Sequence, residues 1–212
     1  MPPRRPSPGG LPHASADRGQ TPPAPPRIIG GQLRGKKLFY SGEDRTRPMK
    51  DRVREAVFNL LGPAVKGKHA LDLFAGTGAL GFEALSRGAA GATLVERHFP
   101  TADHLRQTAA SLGVADRTRV EAANAFIWIQ RDSPPTDLPW IAFVSPPWAL
   151  FREQPEAMLA LIRRLIESCP PESIVVVEAD ESFDFQSLPQ ADHWDVRNYR
   201  PAIVGLLRPG RD

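Results

Sequence analysis

The stretch His69–Gly81, HALDLFAGTGALG, leaves few folds open to this chain. Ala70, Leu71, Leu73 and Phe74 read as a buried strand, Gly76 and Gly78 as a turn, and the residues after them as a helix. A strand that runs through closely spaced glycines into a helix aims backbone N–H groups at the carboxyl edge of a parallel sheet, where α/β proteins take their ligands. Gly76, Gly78 and Gly81 fit G-x-G-x-x-G, and the acid Glu96 stands about 20 residues beyond the first glycine, as a dinucleotide site asks. The pattern by itself fits several cofactors.

The surrounding chain alternates strand and helix. Strands are expected at 69–74, 92–96, near 118–121, at 140–144, 173–178, near 193–199 and at 202–207, and helices at 78–87, 99–112, 124–129 and 155–168. Continuous apolar strands separated by helices make a parallel sheet covered on both faces. No helix separates the last two strands, which predicts an antiparallel pair at one edge. The expected fold is α/β, a doubly wound, mostly parallel seven-stranded Rossmann-like sheet with an antiparallel C-terminal edge and a small N-terminal hairpin-plus-helix extension. At 212 residues and 41% hydrophobic the chain suits one such domain with additions, and no apolar run approaches the ~18 residues of a membrane span. The lone Cys169 excludes a disulfide framework, and the five histidines show no metal-ligand spacing, so no metal is expected.

Residues 1–26 carry nine of the 23 prolines and read as a disordered tail. Residues 27–62 read as a basic hairpin and helix, and 63–212 as the ligand-binding domain. RIIGG (27–31) and KKLFY (36–40) pair as the hairpin, and the helix starts near Thr46, with Pro48 in its first turn. Val53, Ala56, Val57, Leu60 and Leu61 fall on one face, leaving basic residues such as Arg52 and Arg54 on the other. Arg34, Lys36, Lys37, Arg47 and Arg52 are the candidate RNA contacts, although a solvated charged face explains the same residues. The net charge of +3 permits a nucleic-acid partner without requiring one.

Three polar residues fall at successive strand ends on the rim of the glycine turn: Asp72, Glu96 and Asn124. Asp72 discriminates. A carboxylate beside the turn repels a pyrophosphate and attracts an ammonium group. S-adenosylmethionine offers an ammonium group for Asp72, a ribose diol for Glu96 and an adenine edge for Asn124. The fourth strand runs into Ser145-Pro146-Pro147-Trp148, a stiff corner with an acceptor carbonyl, a hydroxyl and a flat indole.

Together these stretches resemble a known family. HALDLFAGTGALGFEALSRGA looks like the cofactor motif of class I methyltransferases, and SPPW resembles their D/N/S-P-P-aromatic motif for exocyclic amines. RIIGGQLRGKKL, RPMKDRVREAVFNLL, LFAGTGALGFEALSRGAAGATLVER and VVVEA are similar to the RsmD-type enzymes, which methylate the N2 amine of a guanine in small-subunit ribosomal RNA. The resemblance covers about residues 27–207. It implies S-adenosylmethionine held by Asp72, Phe74, Gly76, Gly78, Glu96, Asn124 and Ala125, and a base held by Ser145, Pro146, Pro147 and Trp148. The family usually has Asp or Asn where this chain has Ser145, and Thr near Met49 and Lys50. A neutral serine stabilises charge growing on the amine less well than a carboxylate, so an enzyme slower than its aspartate version is expected. The implied partner is ribosomal RNA or the small ribosomal subunit, with no membrane, for a cytoplasmic monomer. Two other readings stay open: a NAD-dependent oxidoreductase, which leaves Asp72 and the proline corner idle, and a non-catalytic RNA-binding relative.

Overall fold

A computed structural model describes residues 25–40, 51–131 and 137–210. Residues 1–24 of the expected tail, the helix start at Thr46 and Pro48, and the candidate contact Arg47 lie outside the described residues.

Seven strands form one sheet: β1 (His69–Asp72), β2 (Gly91–Glu96), β3 (Thr118–Ala122), β4 (Trp140–Val144), β5 (Ile174–Asp180), β6 (Asp195–Tyr199) and β7 (Ala202–Leu207). Their order is β3-β2-β1-β4-β5-β7-β6. β1 to β5 are parallel, and β7 lies antiparallel between β5 and β6. β6 therefore points the same way as β1 to β5, and its end at Tyr199 shares their carboxyl rim. The chain winds outward from β1 to β3 and then returns to place β4 on the other side of β1. That reversal opens a crevice at the ends of β1 and β4.

The helices are α1 (Asp51–Leu61), α2 (Ala79–Ser86), α3 (Phe99–Ser111), α4 (Ala125–Arg131), α5 (Ala149–Glu153) and α6 (Pro155–Ser168). The sheet is apolar on both faces because both are covered. One face packs with Val57, Phe58, Phe82, Leu85 and Leu105, the other with Trp128, Met158, Leu161 and Ile162. Ile28 and Leu38 from the N-terminal segment are buried in the first of these clusters.

Three local expectations are corrected. The hairpin shrinks to one antiparallel bridge, Arg27 with Lys37. Across it the Ile28 N–H reaches the Lys36 carbonyl (2.9 Å) and the Leu38 N–H the Pro26 carbonyl (2.8 Å), while other N–H groups turn to α2: Ile29 to Glu83 Oε2 (2.8 Å), Gln32 to the Ser86 carbonyl (2.8 Å) and Leu33 to Ser86 Oγ (2.9 Å). Arg54, expected on the solvent face of α1, is fully buried, with Nη2 donating to the Arg27 carbonyl (2.6 Å) and to Asp51 (3.0 Å). The first strand ends at Asp72, because Leu73 and Phe74 already turn toward the glycines.

Candidate functional site

Asp72 closes β1 and is 1% exposed. Its Oδ2 accepts the Gly81 N–H at 3.2 Å, while Oδ1 has no hydrogen-bond partner among the described residues. Burial, helped by the nearby Glu96 charge and opposed by the Gly81 and Phe74 backbone N–H groups, pushes the carboxyl up to about 7 from 3.8. A buried carboxylate with a spare oxygen favours a cationic ligand, which would repay its desolvation. The turn after it needs glycine: Gly76 and Gly78 have φ of 51° and 74°. At Gly78 a Cβ would stand 2.5 Å from Phe82 and 2.7 Å from Leu105.

Glu96 ends β2 and is stitched to this turn. Its Oε2 accepts the Gly76 N–H at 2.9 Å and its Oε1 the His98 N–H at 2.8 Å. The Gly76 amide, which a pyrophosphate would require, is thus spent on a carboxylate. With Asp72 close by, the turn is unfavourable for phosphate. Asn124 follows β3 and is exposed; its Oδ1 accepts the Phe126 N–H (2.9 Å) and caps α4. Ala125 is buried beneath it, and Phe74 meets Phe126 edge-on at 5.9 Å. The sheet thus brings Asp72, Phe74, Gly76, Gly78, Glu96, Asn124 and Ala125 to the rim formed by the ends of β1, β2 and β3.

The corner lies on that same rim. Asp72 is in register with Phe143, and the Leu73 N–H reaches the Phe143 carbonyl at 3.2 Å, so Ser145 leaves β4 beside the glycine turn. Pro146 is buried, Pro147 exposed and Trp148 half-buried. The Pro147 carbonyl accepts the Leu150 N–H (2.9 Å), while the Pro146 carbonyl receives no backbone hydrogen bond from the described residues. The corner therefore presents one unengaged acceptor of the two that an amine requires. The second comes with a neighbour that sequence reasoning missed. Val144 pairs with Val177, which sets Glu178 of β5 against Ser145, and the Ser145 hydroxyl donates to Glu178 Oε2. Glu178 is 7% exposed. Burial raises its pKa, against the hydrogen bonds from Ser145 and the Trp148 indole. The only signal for it in the sequence was an acid closing the apolar run VVV, two residues short of the strand's end.

The described basic candidates lie on two elements, the N-terminal segment and α1. Arg34, Lys36 and Lys37 are exposed, but the turn that carries Arg34 docks on Ser86, at the end of α2 away from the glycines. Arg52 is exposed on α1 and borders a surface hollow with Tyr199 and Arg200, at the carboxyl rim. Arg200, which sequence reasoning passed over, is there because β6 runs parallel to β1. Among the described residues no three His, Cys, Asp or Glu side chains gather as a metal site, and no helix is long and apolar enough to cross a membrane.

Comparison with known proteins adds to this geometry. The family model described as conserved hypothetical protein 95 matches residues 26–201. Ribosomal RNA small subunit methyltransferase D of Escherichia coli (strain K12) is 46% identical over 122 residues, 58% of this chain and 60% of that protein, so the match spans less than two thirds of the relative. The solved structure of the Escherichia coli yhhF protein superposes with a TM-score of 0.68 at 34% identity, over 85% of this chain and 95% of that one. An RNA methyltransferase from Salinibacter ruber, in complex with S-adenosyl-L-homocysteine, shares the fold: TM-score 0.58 at 18% identity, over 78% of this chain and 96% of that one.

Proposed function

The chain belongs to the conserved hypothetical protein 95 family, and on that premise we propose that it is an S-adenosylmethionine-dependent methyltransferase acting on an exocyclic amine of RNA, guanine N2 in small-subunit ribosomal RNA. One observation carries the reading: a buried carboxylate with an unpartnered oxygen, Asp72, lies one strand away from a proline corner whose Pro146 carbonyl takes no backbone hydrogen bond from the described residues. A cationic amino-acid tail and an amine are the two groups those features receive.

The residues present fit the cofactor. Asp72, through its unpartnered Oδ1, would hold the ammonium group, the glycine turn would run beside the ligand, Glu96 would take the ribose, and Asn124 with Ala125 would border the adenine. When bound, the cofactor supplies an electrophilic methyl group on sulfur. The chain's own part is positioning. The Pro146 carbonyl and Ser145 Oγ accept the two N–H groups of the amine, which pulls its lone pair out of conjugation and aims it. Trp148 stacks on the base, an interaction worth roughly 1–3 kcal/mol in single-strand binders. Ser145 is an acceptor and no nucleophile, since no His–Asp pair accompanies it. Arg52 and Arg200, on the same rim, grip flanking phosphates.

Calorimetry with S-adenosylhomocysteine and with NAD tests the cofactor, and binding of the first alone is expected. Labelled methyl transfer to small ribosomal subunits, with the product nucleoside identified as N2-methylguanosine, tests the substrate. Absence of transfer with intact cofactor binding would turn the reading to a non-catalytic RNA-binding relative.

A further inference from the structure

We infer that Glu178 works through Ser145 as the proton-receiving partner of the corner, so that the Ser145–Glu178 pair takes the part of a single carboxylate. This rests on the methyl-transfer reading of the same site and assigns a residue to it.

The geometry starts from the hydroxyl. A serine has one proton to donate and two lone pairs to accept with. The proton of Ser145 is committed to Glu178 Oε2, so toward the crevice Ser145 can only accept. The corner thereby becomes selective for a donor such as an amine N–H. Glu178 also bonds the Trp148 indole, so one carboxylate fixes both the acceptor and the stacking ring.

The same pair solves the proton problem of the reaction. The amine nitrogen forms its bond to the methyl carbon as the carbon–sulfur bond breaks and its electron pair stays on sulfur. The nitrogen is left with one proton too many and a positive charge. That proton passes to Ser145 Oγ while the Ser145 hydroxyl proton passes to Glu178 Oε2. The products are a neutral secondary amine, an unchanged serine and a neutral carboxylic acid, which returns its proton to solvent. Burial raises the Glu178 pKa above the ordinary carboxylate value, so the ionised group that accepts from Ser145 takes up a proton more readily than a solvated carboxylate would.

Among the described residues, the neighbouring elements offer Glu178 no ion-pair partner. β4 and β7, its neighbours in the sheet, carry no ionisable side chain, and its register partner on β7 is Val204. On β6, Arg197 pairs with Asp195, and Asp180 further along β5 pairs with Arg152. On α1 the inward Arg54 goes to Asp51 and Glu83, and Arg52 and Glu55 are exposed.

The test is methyl transfer to small ribosomal subunits at saturating S-adenosylmethionine, across pH, by wild type, Glu178→Gln and the double variant Ser145→Asp/Glu178→Gln. Gln keeps the shape of Glu178 and loses its basicity. The expected result is a kcat about 100-fold lower for Glu178→Gln with S-adenosylhomocysteine affinity unchanged. The fall in wild-type kcat toward acid pH should vanish in this variant. Ser145→Asp in the Gln background should recover most of the rate, because it returns one carboxylate to the corner with an amide donor facing it. A Glu178→Gln variant that matches an active wild type at every pH overturns the relay alone. So does one that is slow by the same factor at every pH and is not rescued, since that is a merely structural role. A wild type that binds the cofactor and methylates no RNA overturns the methyl-transfer reading, and the relay with it.

Discussion

At the scale of single residues, Asp72 is held in a state that costs the fold something. Its carboxyl titrates near 7 in the native protein and at 3.8 when unperturbed. Between those values the folded chain binds a proton that the unfolded chain does not, so the Asp72 contribution to stability falls as pH rises through that window. Asp72→Asn should therefore flatten the decline of melting temperature between pH 4 and pH 7 and leave the variant at least as stable as wild type at pH 8, which thermal unfolding reads. The same substitution should weaken S-adenosylhomocysteine binding by about 10- to 100-fold, as loss of a hydrogen bond to a charged group does. Wild-type binding should tighten from pH 6 to pH 8 and release protons, and the Asn variant should show neither effect by calorimetry. Asp72, Glu96 and Asn124 were legible in the sequence because each stands close to the end of an expected strand and near the glycine turn, and strand ends share a rim. Glu178 closed the expected strand 173–178 as well, but nothing along the chain tied it to the proline corner. Only the alignment of β5 on β4 decides which neighbour it meets.

At the scale of elements, the glycine turn and the N-terminal segment depend on close fits. Gly78 combines a left-handed backbone with Phe82 and Leu105 packed against its Cα. Gly78→Ala should lose about 2–4 kcal/mol of stability, from backbone strain and overpacking together, measured by urea unfolding. The N-terminal segment is tied down through Glu83, fully buried, which accepts the Ile29 N–H and pairs with Arg87 at 2.7 Å and Arg54 at 3.8 Å. Arg87 in turn lies over the Phe58 ring at 4.9 Å. Arg54→Met strips Glu83 of one cation and leaves the Arg27 carbonyl unbonded by it. A loss of about 2–3 kcal/mol is expected, with faster hydrogen exchange at Ile29 than in β1. The periodicity of α1 identified the buried Val53, Val57 and Leu61, but it could not show that Arg54 belongs with them, because a buried arginine is recognisable only by the carboxylate that receives it. The hairpin was overread for a related reason: the Ile29, Gln32 and Leu33 N–H groups find their partners on a helix more than 50 residues away, which leaves only a short bridge between the arms.

At the scale of the whole molecule, charge placement decides how RNA would lie. Of the basic residues grouped by spacing along the chain, Arg34 sits on a turn docked at the far end of α2, while Arg52 borders a rim hollow with Arg200. Replacing Arg52 and Arg200 by Ala should lower the slope of log affinity against log salt for RNA by about 0.7–0.9 for each phosphate that is no longer neutralised, while Arg34→Ala should leave it nearly unchanged. Filter binding across salt concentrations separates the two, and an equal effect from all three would place RNA across the N-terminal turn as well. The overall topology was the most legible level, since alternating elements with a helix-free final pair admit few arrangements. The insertion of β7 between β5 and β6 was not spelled out by the sequence, and it is what carries Tyr199 and Arg200 round to the working edge.

The alignment of Val144 with Val177 has a further consequence for how this protein can change over evolutionary time. Side chains alternate between the two faces of a strand, so deleting or inserting one residue in β4 or β5 would put Ser145 and Glu178 on opposite faces and offer the corner Val177 or Ala179 instead. Five apolar residues of β4 and the valines of β5 touch no substrate, yet they hold the frame in which the corner keeps its charge. The chemistry of the pocket is thereby indexed to the interior, and drift in the core can silence it with every residue of the visible motif intact.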